Sequence, residues 1–204
     1  AVLKRWFEAL WGFLPWGAAV IVIVLVAGKL HLHHLYHWMD HSLYHEYMVE
    51  HGDHFHYVDE MEEGAVLNPN YDHVIAGKAA YFADWFFWLR TAVYIGTFLI
   101  FARLFRKWSL QEDEAPNLDL HYKQYRRGAL FLVFFAVFSS TLAWDWIMSI
   151  DTHWFSTLFG WYVFSGMWVS FMIFTNLSML WLRSKGYFQE VNESHMHDLG
   201  KWMF

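Results

Sequence analysis

The sequence has no cysteine. That removes disulfides, thiolate-ligated iron–sulfur clusters and c-type haem attachment together. A redox centre bound here needs His or Met ligands, or is an organic molecule such as a quinone. Basic clusters on a polar face are also lacking. The 14 Lys and Arg stand against 20 Asp and Glu, a formal charge of −6. A nucleic-acid partner is therefore not expected. No cleavable signal peptide is expected from the residues at hand, no internal repeat relates the spans, and the one biased run is rich in histidine.

Apolar and aromatic residues fill the space these absences leave. The chain is 57% hydrophobic and 22% aromatic, a membrane-protein composition. The expected fold is all-α, a polytopic transmembrane helix bundle. Four stretches are long enough for a hydrocarbon core of about 30 Å, which takes about 20 apolar residues. They cover about 11–35, 80–104, 127–150 and 154–182. The first has no charge from Ala9 to Gly28, and the fourth has none from Trp154 to Leu182. The fourth exceeds a perpendicular span, so a tilt or an interfacial first turn is expected. The chain does not begin with Met and ends LGKWMF, which reads as the start of a further span. A single membrane domain over 1–204, part of a larger subunit, is the expected organisation.

Loop charge sets the expected orientation. If the spans alternate, Lys4, Arg5, Arg103, Arg106, Lys107, Lys123, Arg126, Arg127, Arg183, Lys185 and Lys201 share one side. Only Lys29 and Lys78 lie near the other side, with Arg90 inside a span. The positive-inside rule puts the first group, with the loop at about 105–126, in the cytoplasm. The loop at about 36–79 then faces outward. Its approach, HLHHLYHWMDHSLYHEYMVEHGDHFH over 31–56, carries His33, His37, His41 and His45 at four-residue spacing. On a helix these share one face, so span one is expected to continue as a helix beyond the membrane. A metal shell, a solvated face, a docking surface and a proton antenna all fit that spacing. Asn68-Pro69-Asn70 ends the loop.

Ionisable groups inside spans are candidates for function. At 1.5 Å per residue, Asp84 lies roughly one turn into span two and Arg90 two to three turns in. Asp145 lies one to two turns below the same surface in span three. Asp151 and His153 sit at the turn between spans three and four. Thr141, Asp145 and Ser149 share one face of span three, and Arg90, Tyr94 and Thr97 one face of span two. Depth makes Arg90 and Asp145 the natural ion pair. Two readings stay open. The pair fixes two helices against each other, or it lines a polar cavity that takes a quinone head group or relays protons outward. Candidate relay residues are Asp145, Asp151, His153 and Asp84. Candidate quinone contacts are Arg90, Asp145 and Tyr94. Trp144, Trp146, Trp154 and Phe155 read as an interfacial aromatic belt. No histidine lies deep in a span, so no haem pair is expected. Gly12, Gly17, Gly28, Gly96, Gly160 and Gly166 are expected to let helices approach closely, and Pro15 to mark a kink or turn.

Four stretches carry a resemblance: DWIMSIDTHWFSTLFGWYVFSG (145–166), HHLYHW (33–38), VIAGKAAYFADWFFWLRTAVY (74–94) and HMHDLGKWMF (195–204). With them the chain resembles the NrfD/PsrC-like family of quinone-interacting membrane subunits. More narrowly it resembles the F-subunit family of alternative complex III, bacterial quinol:cytochrome c or quinol:electron-carrier oxidoreductases. The resemblance covers essentially the whole chain. It implies a bacterial inner-membrane subunit beside iron–sulfur and c-haem subunits, in contact with lipid, with menaquinone or ubiquinone as the implied cofactor. It carries the family's polar positions onto Asp84, Arg90, Asp145, Asp151 and His153. It leaves open whether such a subunit binds quinone, conducts protons or only scaffolds its partners.

Overall fold

A computed structural model describes residues 3–51, 54–115 and 118–203. Its helices are α1 (Lys4–Leu10), α2 (Leu14–Lys29), α3 (His73–Ala76), α4 (Ala79–Phe82), α5 (Asp84–Glu114), α6 (Leu118–Trp146), α7 (Phe159–Ser184) and α8 (Glu193–Lys201). Four helical stretches are long and apolar enough to cross a membrane: Lys4–Lys29, Asp84–Glu114, Leu118–Ile150 and Phe159–Ser184. The chain is an all-α, multi-pass membrane protein by length and composition. By its contacts it divides into two units. One comprises 1–15, 99–141 and 157–204, the other 16–98 and 142–156.

Span one departs from expectation at both ends. A tight 3-10 turn, Trp11–Phe13, separates α1 from α2 just before Pro15. Proline offers no N–H and crowds the carbonyl four residues back, so the tighter turn relieves the conflict. At the other end the helix stops at Lys29 rather than running to 35 and beyond. His31 takes φ 55°. Its N–H bonds the Gly28 carbonyl at 3.0 Å, and the Leu32 N–H bonds the Ala27 carbonyl at 2.9 Å. This pair of bonds is the Schellman closure, usually built on Gly or Asn. Histidine is one of the few other residues that tolerates the left-handed region. His37 and His41 then fall in short 3-10 turns, His37–Met39 and His41–Tyr44, so no helix face carries the four-residue histidine repeat.

The following loop holds a small antiparallel sheet that hydrophobic patterning did not suggest. Strands β1 (Tyr47–His51), β2 (His54–Val58) and β3 (Ala65–Leu67) lie in the order β2-β1-β3. Tyr47 pairs with Val58 on one side and Leu67 on the other. Buried Asn68 closes the loop, donating to the carbonyls of Ser42 at 2.6 Å and His45 at 2.8 Å. Packing beneath it joins Leu25, Tyr36, Trp38, Met39, Ile75, Phe82 and Phe87. Trp38 stacks on Phe82 with ring centroids 4.6 Å apart.

The later spans also shift. Span two runs on to Glu114, and span three starts at Leu118. Residues 154–158 are not helical, and α7 begins at Phe159. In the first unit the buried Glu8 accepts from Ser109 at 2.5 Å and Arg5 at 2.6 Å. Gly160 lies hard against Ser140, where an added Cβ would sit 2.7 Å from its Cα. Gly28 faces His33, Met39 and Tyr36 side chains, whereas Gly12, Gly96 and Gly166 meet nothing within 4 Å. The expectation of close approach therefore fails at those three.

Candidate functional site

Asp145 is fully buried near the C-terminal end of α6. A bare carboxylate there would carry a heavy desolvation penalty. Four donors remove it. Arg90 Nε reaches Oδ2 at 2.8 Å and Nη2 reaches Oδ1 at 3.0 Å. The Tyr81 hydroxyl donates to Oδ1 at 2.6 Å and the Tyr94 hydroxyl to Oδ2 at 3.0 Å. A carboxylate has about four acceptor positions, and all are filled. Arg90 is held in turn. Its Nη1 donates to the Tyr81 carbonyl at 3.1 Å. Its guanidinium carbon lies 4.2 Å from the ring centres of both Tyr81 and Phe86. The two rings stand at 89° to each other, and the planar fork that grips both carboxylate oxygens beside them is what an ammonium cannot supply.

Neighbouring bonds extend the clamp. The Ser149 hydroxyl donates to the Asp145 carbonyl at 2.6 Å, just after α6 ends. Trp146 Nε1 donates to the Thr91 hydroxyl at 3.3 Å, and the Tyr36 hydroxyl donates to the Trp146 carbonyl at 2.8 Å. The Arg90–Asp145 pair expected from depth is present. Thr141 is not part of the clamp: its hydroxyl turns back to the Val137 carbonyl at 3.2 Å. Tyr81 carries no sequence signal beyond its place in the 74–94 stretch. Burial, reinforced by the carboxylate it donates to, pushes its phenol above the ordinary value. It therefore stays a protonated donor at physiological pH.

Beside the clamp lies a cleft of about 170 Å³. Tyr81, Phe82, Trp144, Met148, Trp154 and Phe155 supply its apolar walls, and Lys78, Ser149, Asp151 and Thr152 its polar ones. The Lys78 ammonium donates to the Thr152 carbonyl. Trp144 Nε1 is buried and has no acceptor. A buried indole N–H without a partner is unusual enough to require a reason. Trp144, expected in an aromatic belt, thus lines a cavity.

Asp151 lines the cleft, and His153 follows it in the chain without lining it. The His153 backbone N–H donates to Asp151 Oδ1 at 3.2 Å. His153 Nε2 lies 2.7 Å from Asp72 Oδ2, and its side chain is 58% exposed. Asp72 caps α3 by accepting from the Val74 and Ile75 N–H groups. Burial opposes its ionisation. The Ile75 and Val74 donors and the His153 ring outweigh that and hold its carboxyl below the ordinary value. The cap signal, an Asp just before HVI, was readable; its pairing with His153 was not.

Asp84 does not join Asp145. It opens α5, where a carboxylate complements the helix dipole, and takes Lys29 Nζ at 2.6 Å. Among the described residues no group of three or more His, Asp or Glu side chains comes together as a metal shell would require. No protein-family model matches the chain, and no curated protein matches it.

Proposed function

We propose that the chain is a membrane subunit of a quinol-oxidising respiratory complex of the alternative complex III type. In this reading the cleft beside the clamp takes the quinone head group. The observation that carries it is an aromatic-walled cleft whose polar edge holds the Lys78 ammonium, the Ser149 hydroxyl and the Asp151 carboxylate. A quinone ring suits apolar aromatic walls, and its oxygens accept from a donor such as the Lys78 ammonium. The motif resemblance over 145–166 supports the same chemistry. Asp145, Arg90 and Tyr94 are not among the cleft's lining; they anchor Tyr81, which is, because their polar groups are spent on one another and on Tyr81. Oxidation of a quinol releases two protons and two electrons. Iron–sulfur and haem groups of partner subunits take the electrons. Asp151 accepts the two protons one after the other at the cleft, and the exposed His153–Asp72 pair passes each to water. Loop charge supports an exit on the outward side, the periplasm in this reading.

The saturated Asp145 carboxylate favours a second reading, in which the subunit is a scaffold for partners and lipid. One experiment separates them. In the assembled complex, Lys78→Met keeps the aliphatic stem and removes the donor. The quinone reading expects KM for quinol to rise about tenfold, the worth of one hydrogen bond, with assembly intact. It also expects a photoreactive quinone to label 144–155. Unchanged kinetics with labelling confined to another subunit would establish the scaffold.

A further inference from the structure

The first turns of α6 border an open hollow of about 560 Å³, lined by Asp119, Tyr122, Lys123, Arg126, Arg127 and Leu130. Steps of three and four residues put all of them on one helix face. Three cations against one carboxylate leave the hollow a surplus of positive charge. Arg126 and Arg127 are exposed, and among the described residues neither forms an ion pair. Glu112 and Asp113, near the end of α5, are taken by other partners. Glu112 accepts from Lys4 at 3.2 Å and from Gln124 at 3.0 Å, and Asp113 pairs with Arg5. Lys123 Nζ lies 4.8 Å from the ring centre of buried Trp108 on α5. That contact steadies the stem and leaves the ammonium N–H donors for a ligand.

Below the charges the same face turns apolar. From Gly128 to Trp144 the sequence holds no charged residue, so Arg126 and Arg127 stand where a span meets the head-group layer. The face continues through Leu130, Val133, Phe134 and Val137, all of them exposed. Val133 and Val137 are 63% and 55% exposed. A ligand that satisfies both parts has a compact anionic head and an apolar tail lying along the helix. Guanidinium forks match the oxygens of a phosphate in pairs. A zwitterionic head group would instead bring an ammonium into a hollow that already has positive charge in excess.

We propose that this face of α6 binds an anionic phospholipid. Arg126 and Arg127 hold the phosphate, the Lys123 ammonium and the Tyr122 hydroxyl donate at its rim, and one acyl chain follows Leu130, Val133 and Val137. The site is separate from the quinone cleft and does not rest on that reading.

The test places the protein in nanodiscs of equal phosphatidylglycerol, phosphatidylcholine and phosphatidylethanolamine. It is then extracted into detergent, and retained lipid is measured by native mass spectrometry. Phosphatidylglycerol is expected to be retained about tenfold over each zwitterionic lipid. The double variant Arg126→Gln with Arg127→Gln should bring that ratio to within about twofold of one. Arg183→Gln with Lys185→Gln removes the same charge at the end of α7 and should leave the ratio as it was. Equal retention of the three lipids, or an unchanged ratio in the α6 variant, would overturn the proposal. So would an equal fall in the α7 variant, which would mean diffuse attraction to any basic span end. Displacement by soluble glycerophosphoglycerol at matched concentration would make the ligand a soluble phosphodiester and would sink the lipid reading. Phosphatidylglycerol with a photoreactive acyl chain gives a readout on the unmutated chain. Labelling is expected within 122–137, and labelling confined to other segments refutes the site.

Discussion

Arg90 spans both carboxylate oxygens of Asp145, with Nε at 2.8 Å from one and Nη2 at 3.0 Å from the other. The pair ties α5 to α6 at a point where neither charge reaches water freely. Its stability rests on geometry as much as on attraction, because two desolvated ions repay their hydration only when every polar atom is matched.

Asp145→Asn should therefore destabilise the protein by about 3–5 kcal/mol, leaving a buried guanidinium without its counter-ion. Arg90→Lys should also destabilise it, since one ammonium cannot bridge both oxygens as the guanidinium fork does. Replacing both by apolar residues, Arg90→Met with Asp145→Leu, should recover most of the loss. Thermal unfolding in detergent measures all three. Parent-like stability of Asp145→Asn would contradict the clamp.

Tyr81→Phe and Tyr94→Phe each remove one bond to a buried carboxylate. Each should cost about 1.5–3 kcal/mol. The double variant should not be additive, since both hydroxyls serve one group. A double-mutant cycle on unfolding free energies tests the coupling, and strict additivity would mean the two bonds are independent.

The Asp72 carboxyl is held below its ordinary value in the folded chain. A depressed folded value contributes stability that is complete above the unfolded value of about 3.9 and disappears as pH falls through the folded one. The start of α3 should thus loosen only below about pH 4. Hydrogen-exchange protection of the Val74 and Ile75 amides, which Asp72 caps, reports this. Loss of protection between pH 5 and 7 would show that the cap does not depend on the Asp72 charge.

At Gly160 an added Cβ would fall 2.7 Å from the Cα and Oγ of Ser140. Gly160→Ala should cost about 1–3 kcal/mol as α6 and α7 are forced apart. Gly96→Ala meets open space and should be neutral or gain at most about 1 kcal/mol from helix propensity. Equal effects at the two positions, read from thermal unfolding, would remove the close-contact explanation.

Sequence alone determined the spans and the main charge pair. Hydrophobic runs of this length have one solvent that suits them, and an arginine and an aspartate at matched depth have few partners but each other. It did not determine where helices end, because a Schellman closure at His31 depends on one residue's backbone energy against its surroundings, and no Gly or Asn announces it. Nor did it reveal the sheet over 47–67, whose strands are short and gain their pairing only when folded together. Tertiary structure alone brought Tyr81 to Asp145, His153 to Asp72 and Lys29 to Asp84. These contacts join residues 64, 81 and 55 positions apart. Local propensity carries no information over such distances; only packing decides which polar groups meet.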